Sequence, residues 1–197
     1  MALGPSVVAI AMTMTPSKVV ADDGAAKADR ITAAKALGSS TDKGAVDALL
    51  KALDTRNEEL RDACIASLAK LNGASVLAAR LGDKKQPERT RAEAARGLRF
   101  LEDASTVPAL IAALSDSSAA VRSEAALALS LFGTEQALPK LVACLDDEDK
   151  DVRYYAADAL GSVKSTVAKA ALEKRLAVES AAAVKYALKV ALDKQGR

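Results

Sequence analysis

The chain has 197 residues and a formal net charge of +2, and half of its residues are apolar, with few aromatics. Its length suits one substantial domain or a repeat array, and its richness in alanine favours closely packed helices. Histidine is absent and the two cysteines are not arranged as CxxC, which excludes His-based catalysis and leaves a zinc site without ligands, so we expect no catalytic residues, no metal and no cofactors.

The N-terminal segment, residues 1–21, differs from the rest. An apolar run, ALGPSVVAIAMTM, is followed by KVVADDG, which places Val19 and Ala21 at the small-residue positions of a signal-peptidase site. No Lys or Arg precedes the run, so a disordered or capping segment is the alternative, and Pro5 and Pro16 argue against a stable helix here. We interpret residues 1–21 as a signal peptide or disordered segment and 22–197 as the repeat domain. We favour export, to the periplasm or the medium, over a cytoplasmic location.

An arginine then returns at a nearly constant interval along the chain, at Arg30, Arg61, Arg91, Arg122 and Arg153. A leucine follows each arginine at the seventh position after it, and a small side chain follows each at the third. Lys185 continues the series after the last arginine, and its unit has Leu188 at the small position, which indicates a terminal cap. Such periodicity is typical of a repeat protein.

Each repeat contains two helical patterns separated by a turn rich in Asp and Ser. Two prolines one repeat apart, Pro108 and Pro139, stand where the first turn of a helix tolerates them. The pattern predicts a single N-terminal helix near 25–37 and five hairpins over 43–72, 74–102, 105–133, 135–163 and 165–195. Because one hairpin cannot bury its apolar face alone, neighbouring hairpins must stack.

The segments DSSAAVRSEAALALSLFGTEQALPKLVACLDD (116–147) and DEDKDVRYYAADALG (147–161) resemble HEAT repeats, specifically the short HEAT-like repeats found in phycobilin lyases. The resemblance covers roughly residues 25–195. It implies an all-α, right-handed α–α superhelix, a HEAT-like solenoid of about five hairpins plus an N-terminal helix. It also implies an interaction scaffold whose second helices line a concave face. Two enzymes of this class, the iron-binding deoxyhypusine hydroxylase and the HEAT-like DNA glycosylases, need histidine or tryptophan, and this chain has neither.

The recurring arginines are interpreted as architecture. A guanidinium one turn into each second helix can reach an aspartate in a nearby turn, such as Asp116 or Asp147, and form a ladder of charge-assisted hydrogen bonds. A residue needed once for chemistry would not recur in every repeat. The predicted structural ladder comprises Arg30, Arg61, Arg91, Arg122 and Arg153.

Candidate binding residues come from the second helices of the later repeats. All three tyrosines of the chain lie there, and tyrosine is common at binding hot spots. Packing between repeats is the alternative role for them, and a solvated face is the alternative for the polar members. The predicted concave-face set comprises Tyr154, Tyr155, Tyr186, Glu93, Arg96, Glu124 and Asp158.

These observations favour a non-enzymatic scaffold that binds a protein partner on its concave surface. Two alternatives stay open: a bilin-lyase-like enzyme or enzyme accessory, and a nucleic-acid-binding solenoid, although the small net charge argues against nucleic acid. No segment has eighteen uninterrupted apolar residues, so we expect no transmembrane helix. We expect a monomer.

Overall fold

The structure is a computed structural model that describes residues 14–53 and 55–196. Within these residues it contains twelve α-helices and no strand, so the predicted all-α, HEAT-like solenoid class is confirmed. The chain divides into two compact units between Ala74 and Ser75. The predicted division at residue 21 is a different boundary, and it stays a prediction.

In the part of the first unit that the structure describes there are four helices: α1 (Pro16–Ala21), α2 (Lys27–Leu37), α3 (Ala45–Ala52) and α4 (Glu58–Lys70). Helix α1 packs on α2 and α3, and α2 and α3 both pack on α4. Leu37, Leu49, Leu60 and Leu68 are at most 1% exposed and form the core of this unit. Helix α2 matches the predicted N-terminal helix near 25–37, and the pair α3–α4 matches the predicted first hairpin, 43–72.

Helix α1 corrects the prediction that no stable helix forms within residues 1–21. Pro16 stands in the first turn of α1, where its missing N–H needs no partner, so the argument from proline did not apply at this position. Val20 is fully buried. The N-terminal helix predicted as single therefore has a short partner. The rest of the predicted leader, including Pro5, lies outside the described residues.

The second unit continues with eight helices. They are α5 (Gly73–Gly82, which begins at the boundary), α6 (Glu88–Leu101), α7 (Val107–Ala113), α8 (Ala119–Leu129), α9 (Leu138–Cys144), α10 (Lys150–Gly161), α11 (Thr166–Val178) and α12 (Ala182–Gly196). Short 3-10 turns, Ala104–Thr106 and Glu135–Ala137, lead into α7 and α9. The second helices of the repeats, α6, α8, α10 and α12, pack in a row, and α7, α9 and α11 each pack on the second helix of their own hairpin.

Small residues allow the second helices to approach closely. The column at the third position after each arginine is fully buried in this unit, at Ala94, Ala125 and Ala156. At Gly161 of α10 an added Cβ would lie 2.9 Å from Ala191 Cα in α12, closer than van der Waals contact allows. Leu98, Leu129 and Leu160 form the adjoining leucine column and are at most 1% exposed. Leu192, which the arginine spacing predicts as its end, is only half-buried, and the buried residue at the interval of 31 is Ala191.

The first helix of the last hairpin, α11, has charged residues at positions that are apolar in α7 and α9. Val107 and Leu138 are buried or half-buried at equivalent positions of α7 and α9, and the next residue at the same interval is the exposed Lys169. Ile111 and Val142 are likewise succeeded by the exposed Glu173. Among the described residues no further hairpin packs on this one, and an outer hairpin needs a polar face. This accounts for part of the concentration of lysines after residue 163.

Candidate functional site

Three of the five predicted ladder arginines form bidentate pairs with carboxylates of the next turn. Arg91 donates to Asp116 from Nε and Nη2 at 3.0 and 2.7 Å, and Arg122 donates to Asp147 at 2.7 and 2.8 Å. Arg153 donates in the same way to Glu179, at 2.9 and 3.1 Å. The remaining nitrogen of each guanidinium, Nη1, donates to a backbone carbonyl in the turn that precedes its own helix. Each arginine thus joins the turns of two successive repeats.

The ladder carboxylates are held in the ionised form. Arg153, the largest influence, lowers the pKa of Glu179 to about 2 against the opposing effect of burial. For Asp116, burial raises the pKa most strongly, but hydrogen bonds from Arg91 and Lys84 outweigh it and hold the pKa well below its usual range. The same balance, with Arg122 as donor, lowers the pKa of Asp147. These are structural ion pairs, with their charges satisfied internally.

The two other ladder arginines belong to the first unit. Arg30 is 9% exposed; its Nε donates to the Val20 carbonyl at 3.0 Å, and its Nη2 lies 3.0 Å from Asp23. Arg30 therefore holds α1 in place. Arg61 is half-buried on α4, and its place in the ladder stays a prediction. Asp54, between α3 and α4 in the sequence, lies outside the described residues.

All seven predicted binding residues lie in the second unit, on the solvent-facing side of α6, α8, α10 and α12. We call this the second-helix surface. It consists of rows in which one residue from each helix recurs at an interval of 31. One row is Glu93, Glu124, Tyr155 and Tyr186; the next is Arg96, Leu127, Asp158 and Lys189. The residues between the rows are buried in the helix row beneath.

The tyrosines differ in exposure. Tyr186 is 66% exposed, whereas Tyr154 and Tyr155 are half-buried and stack edge to face, with ring centroids 5.2 Å apart. Burial raises the pKa of the Tyr155 hydroxyl first, and the negative charges of Glu124 and Asp151 raise it further. Tyr155 and Glu124 are therefore near each other across α8 and α10.

The polar members already have internal contacts. Glu93 accepts from Arg89 at 2.9 Å within α6, and Asp158 accepts from Lys194 of α12 at 2.8 Å. Side chains in both pairs are substantially exposed, up to 88% for Arg89. Exposed pairs of this kind contribute little to stability and exchange readily.

Two residues of this surface were not among those predicted. Arg99, on α6, lies with its Cζ 4.8 Å from the ring centre of Phe100, and its positive charge partly opposes the rise in the pKa of Tyr155. The sequence signal was only partial: Phe100 belongs to the row of Leu131, Ser162 and Asp193 at the same interval of 31, but the effect of Arg99 on Tyr155 depends on the packing of two helices. An arginine over an aromatic ring makes a cation–π contact, which orients the guanidinium on the surface.

Within the described residues, no group of three or more Asp, Glu, His or Cys side chains is placed to hold a metal ion. Cys64 and Cys144 are both buried, and burial raises the pKa of each thiol to about 11. Of the helices in the described part of the chain, none is long and apolar enough to cross a membrane.

Stacked helical hairpins with arginine–carboxylate pairs between successive turns define an α-solenoid repeat protein. The family model for HEAT repeats matches residues 19–99, 75–154 and 132–193. The chain belongs to the HEAT-repeat family. No curated protein sequence matches it significantly.

Several solved structures share the fold. The complex of CpcE and CpcF of phycocyanin lyase from Nostoc sp. PCC7120 is similar with a TM-score of 0.59 at 22% identity; the match covers 76% of this chain and 64% of that chain, slightly less than two thirds of its length. Human deoxyhypusine hydroxylase has a TM-score of 0.54 at 17% identity, covering 96% and 97%. A designed armadillo repeat protein in complex with the peptide (KR)4 has a TM-score of 0.52 at 19% identity, covering 93% and 100%. At these identities the likeness shows the fold.

Proposed function

We propose that this chain is a non-enzymatic interaction scaffold that binds a protein partner on the second-helix surface of its second unit. The seven predicted residues form the candidate contact area, together with Arg99 and Phe100. The proposal concerns a surface rather than a pocket, since polar groups on it pair within one helix or between neighbouring helices instead of converging on a single point.

The observation that carries the proposal is the placement of the tyrosines. The chain has only three, and all three lie on this surface. Tyr186 is 66% exposed, which costs hydrophobic free energy unless a partner covers the ring. Tyrosine combines a large rigid contact area with a polar tip, which suits a surface that alternates between free and bound states.

The comparisons support the proposal at the level of the fold. A designed armadillo repeat protein of similar fold is in complex with a peptide. A helical repeat fold of this kind is therefore compatible with binding a peptide segment.

Site-specific crosslinking tests the assignment of the surface. A photo-reactive phenylalanine analogue placed at Tyr186 should crosslink a protein when the purified chain is irradiated in an extract of its native organism. The matched control is the same analogue at Val167, which is 57% exposed but lies on α11, a first helix. Equal crosslinking from both positions, or from Val167 alone, would remove the second-helix surface as the binding site.

A double substitution measures the contribution of the aromatic pair. Tyr154→Ala with Tyr155→Ala should weaken binding of the crosslinked partner at least tenfold, because hot-spot aromatics each contribute about 2 kcal/mol or more. Tyr154→Phe with Tyr155→Phe keeps both rings and should weaken binding by no more than about fivefold, which corresponds to the loss of one hydroxyl hydrogen bond of roughly 1 kcal/mol. Helicity measured by circular dichroism should be unchanged in both.

The sequence analysis left a second function open, a bilin-lyase-like enzyme or enzyme accessory. The likeness to the phycocyanin lyase complex is at 22% identity and concerns the fold, and no residue on the second-helix surface favours a tetrapyrrole. Adding a bilin to the pure protein is the direct experiment. A bound, shifted absorption spectrum would favour the enzyme over the scaffold.

A further inference from the structure

The charges on the second-helix surface are arranged in bands, one for each helix. Helix α6 presents three arginines against one carboxylate: Arg89, Arg96 and Arg99 with Glu93. On the surface rows of α8 and α10 the charged residues are all acidic: Glu124, Asp151 and Asp158. On its surface rows helix α12 presents Lys185 and Lys189 with Asp193, and Lys194, which pairs with Asp158, adds a third lysine. The order across the surface is therefore basic, acidic, acidic, basic.

The acidic middle of the surface also carries the aromatic pair. The negative charges of Glu124 and Asp151 raise the pKa of the Tyr155 hydroxyl, and the positive charge of Arg99 offsets only part of this rise. Tyr154 and Tyr155 lie between these carboxylates on the same helix face. Carboxylates beside aromatic rings form a favourable environment for a Lys or Arg side chain, through ion pairing and cation–π contact together.

The internal ion pairs do not erase this banding. Lys194 offsets the charge of Asp158, but its side chain is 43% exposed and that of Asp158 is 34% exposed, so a competing cation can replace it. Asp151 is exposed in the first turn of α10. At the basic edge, Arg89 is 88% exposed and its pair with Glu93 lies within one helix, which leaves the guanidinium accessible.

The bands set the length and spacing of a complementary ligand. Packed helices lie about 10 Å apart, so the outer axes of four adjacent helices are separated by roughly 30 Å. An extended chain rises about 3.3 Å per residue, so roughly nine residues cross the surface, with every third residue over a new helix. A segment of this length needs no tertiary structure of its own.

We propose that the partner contributes an extended segment of about nine to twelve residues that crosses the four second helices, with Lys or Arg in its middle, over α8 and α10, and Asp or Glu toward both ends. This inference rests on the proposed function and specifies the chemistry of the partner. The basic middle supplies cations to the tyrosine and carboxylate band, and the acidic ends meet the arginines of α6 and the lysines of α12.

Two synthetic peptides of identical composition test the order of charges. One has lysines in the middle and glutamates at both ends; the other has glutamates in the middle and lysines at both ends. Fluorescence anisotropy with the full chain should show at least tenfold tighter binding of the lysine-centred peptide, and the preference should decrease between about 0.05 and 0.5 M salt as screening shortens the range of the charges. Equal binding of the two peptides, tighter binding of the inverse peptide, or binding of neither overturns the inference.

Asp151→Asn isolates the acidic band. It should weaken binding of the lysine-centred peptide about threefold, the size expected for one exposed ion pair. Binding of the inverse peptide should be unchanged or slightly tighter. The matched control is Asp62→Asn, an exposed aspartate on α4 of the first unit, which should change neither affinity. Equal effects of the two substitutions would overturn the inference.

The two proposals fail separately. If the analogue at Tyr186 crosslinks a partner while the peptides show no preference for charge order, the charge pattern is wrong and the scaffold proposal stands. If Tyr186 does not crosslink and neither peptide binds, both proposals are wrong.

Discussion

The two units use the same arginine position in different ways. In the second unit, Arg91, Arg122 and Arg153 pair forward, with carboxylates 25 or 26 residues later in the chain. In the first unit, Arg30 reaches backward, to the Val20 carbonyl and to Asp23. A guanidinium one turn into a helix is thus a general donor. Its acceptor is whichever carbonyl or carboxylate the packed neighbour brings within reach, so the same motif both links successive repeats and holds the short helix α1.

The largest effect is expected from breaking the ladder in the second unit. Asp116 has a fully buried side chain and pairs with Arg91, which is 5% exposed. We expect Asp116→Ala to lower the free energy of unfolding by about 3–5 kcal/mol, because it leaves a buried guanidinium without its carboxylate. The chain has no tryptophan and all its tyrosines lie in this unit, so urea unfolding followed by tyrosine fluorescence reports on the second unit.

The control for this substitution is Glu148→Ala. The Glu148 side chain is 92% exposed and lies 4.0 Å from Arg122, so its removal should cost less than about 0.5 kcal/mol. Equal losses for Asp116→Ala and Glu148→Ala would mean that the ladder contributes nothing beyond ordinary surface charge.

The leucine column should show a gradient toward the end of the second unit. Leu129→Ala removes a side chain that is 1% exposed and should cost about 2–5 kcal/mol. Leu192→Ala, at the half-buried end of the column, should cost clearly less. The same fluorescence measurement compares them, and similar losses would contradict a core centred on the inner repeats.

Acid should weaken the ladder selectively. Because the pKa of Glu179 is lowered on folding from 4.5 to about 2, its ionised form stabilises the folded state above pH 4.5, and this stabilisation is lost as the pH falls toward 2. Asp116 and Asp147 shift in the same direction. Glu179→Gln should cost on the order of 2–3 kcal/mol at pH 7. Its urea midpoint should approach that of the wild type as the pH falls from 4.5 to about 2, and a gap that stays constant with pH would contradict this assignment.

In the first unit, α1 is the element to disturb. Val20→Ala should lower the free energy of unfolding by about 2 kcal/mol, because the Val20 side chain of α1 is fully buried. Lys18→Ala, on the exposed side of the same helix, is the control and should be neutral. Thermal unfolding followed by far-ultraviolet circular dichroism is the measurement. If Val20→Ala were neutral, α1 would not belong to the core of the unit.

The smallest effect is a gain in stability at a helix end. Glu102 follows α6 with φ of 49°, a left-handed conformation that favours glycine, and its N–H donates to the Leu98 carbonyl. Glu102→Gly should therefore stabilise the second unit by about 0.5–1 kcal/mol. Glu102→Ala keeps a Cβ and should give no gain. Gly133 has a similar φ, 53°, and an added Cβ there would lie 2.9 Å from the Ser162 carbonyl oxygen, so Gly133→Ala should lose stability.

Most helices were predictable because the apolar spacing that produces each helix lies within a short stretch of sequence. The predicted hairpins at 105–133, 135–163 and 165–195 agree with α7–α8, α9–α10 and α11–α12. Helix α1 was missed because proline was treated as a helix breaker without regard to position, whereas Pro16 stands in the first turn. The effect of a proline depends on which backbone N–H it removes.

The candidate surface was only partly predictable. Tyr155 was found from composition and periodicity, but Arg99 and Phe100 were not, because their significance lies in contacts with neighbouring side chains. Glu179 as the last ladder partner was also missed. It replaces an aspartate one residue later in the repeat, since α11 is longer than α7 and α9, and the longer glutamate side chain reaches Arg153.

The sequence by itself determined the repeat, the helical pairs and the positions of the buried leucines and alanines, because helical periodicity and apolar spacing are properties of a local stretch of chain. Tertiary structure decided which acceptor each arginine meets, that Val20 is covered, and that arginines, carboxylates and lysines on four different helices form bands on one surface. These outcomes depend on the stacking of helices from separate repeats, which brings together side chains that lie a full repeat apart along the chain.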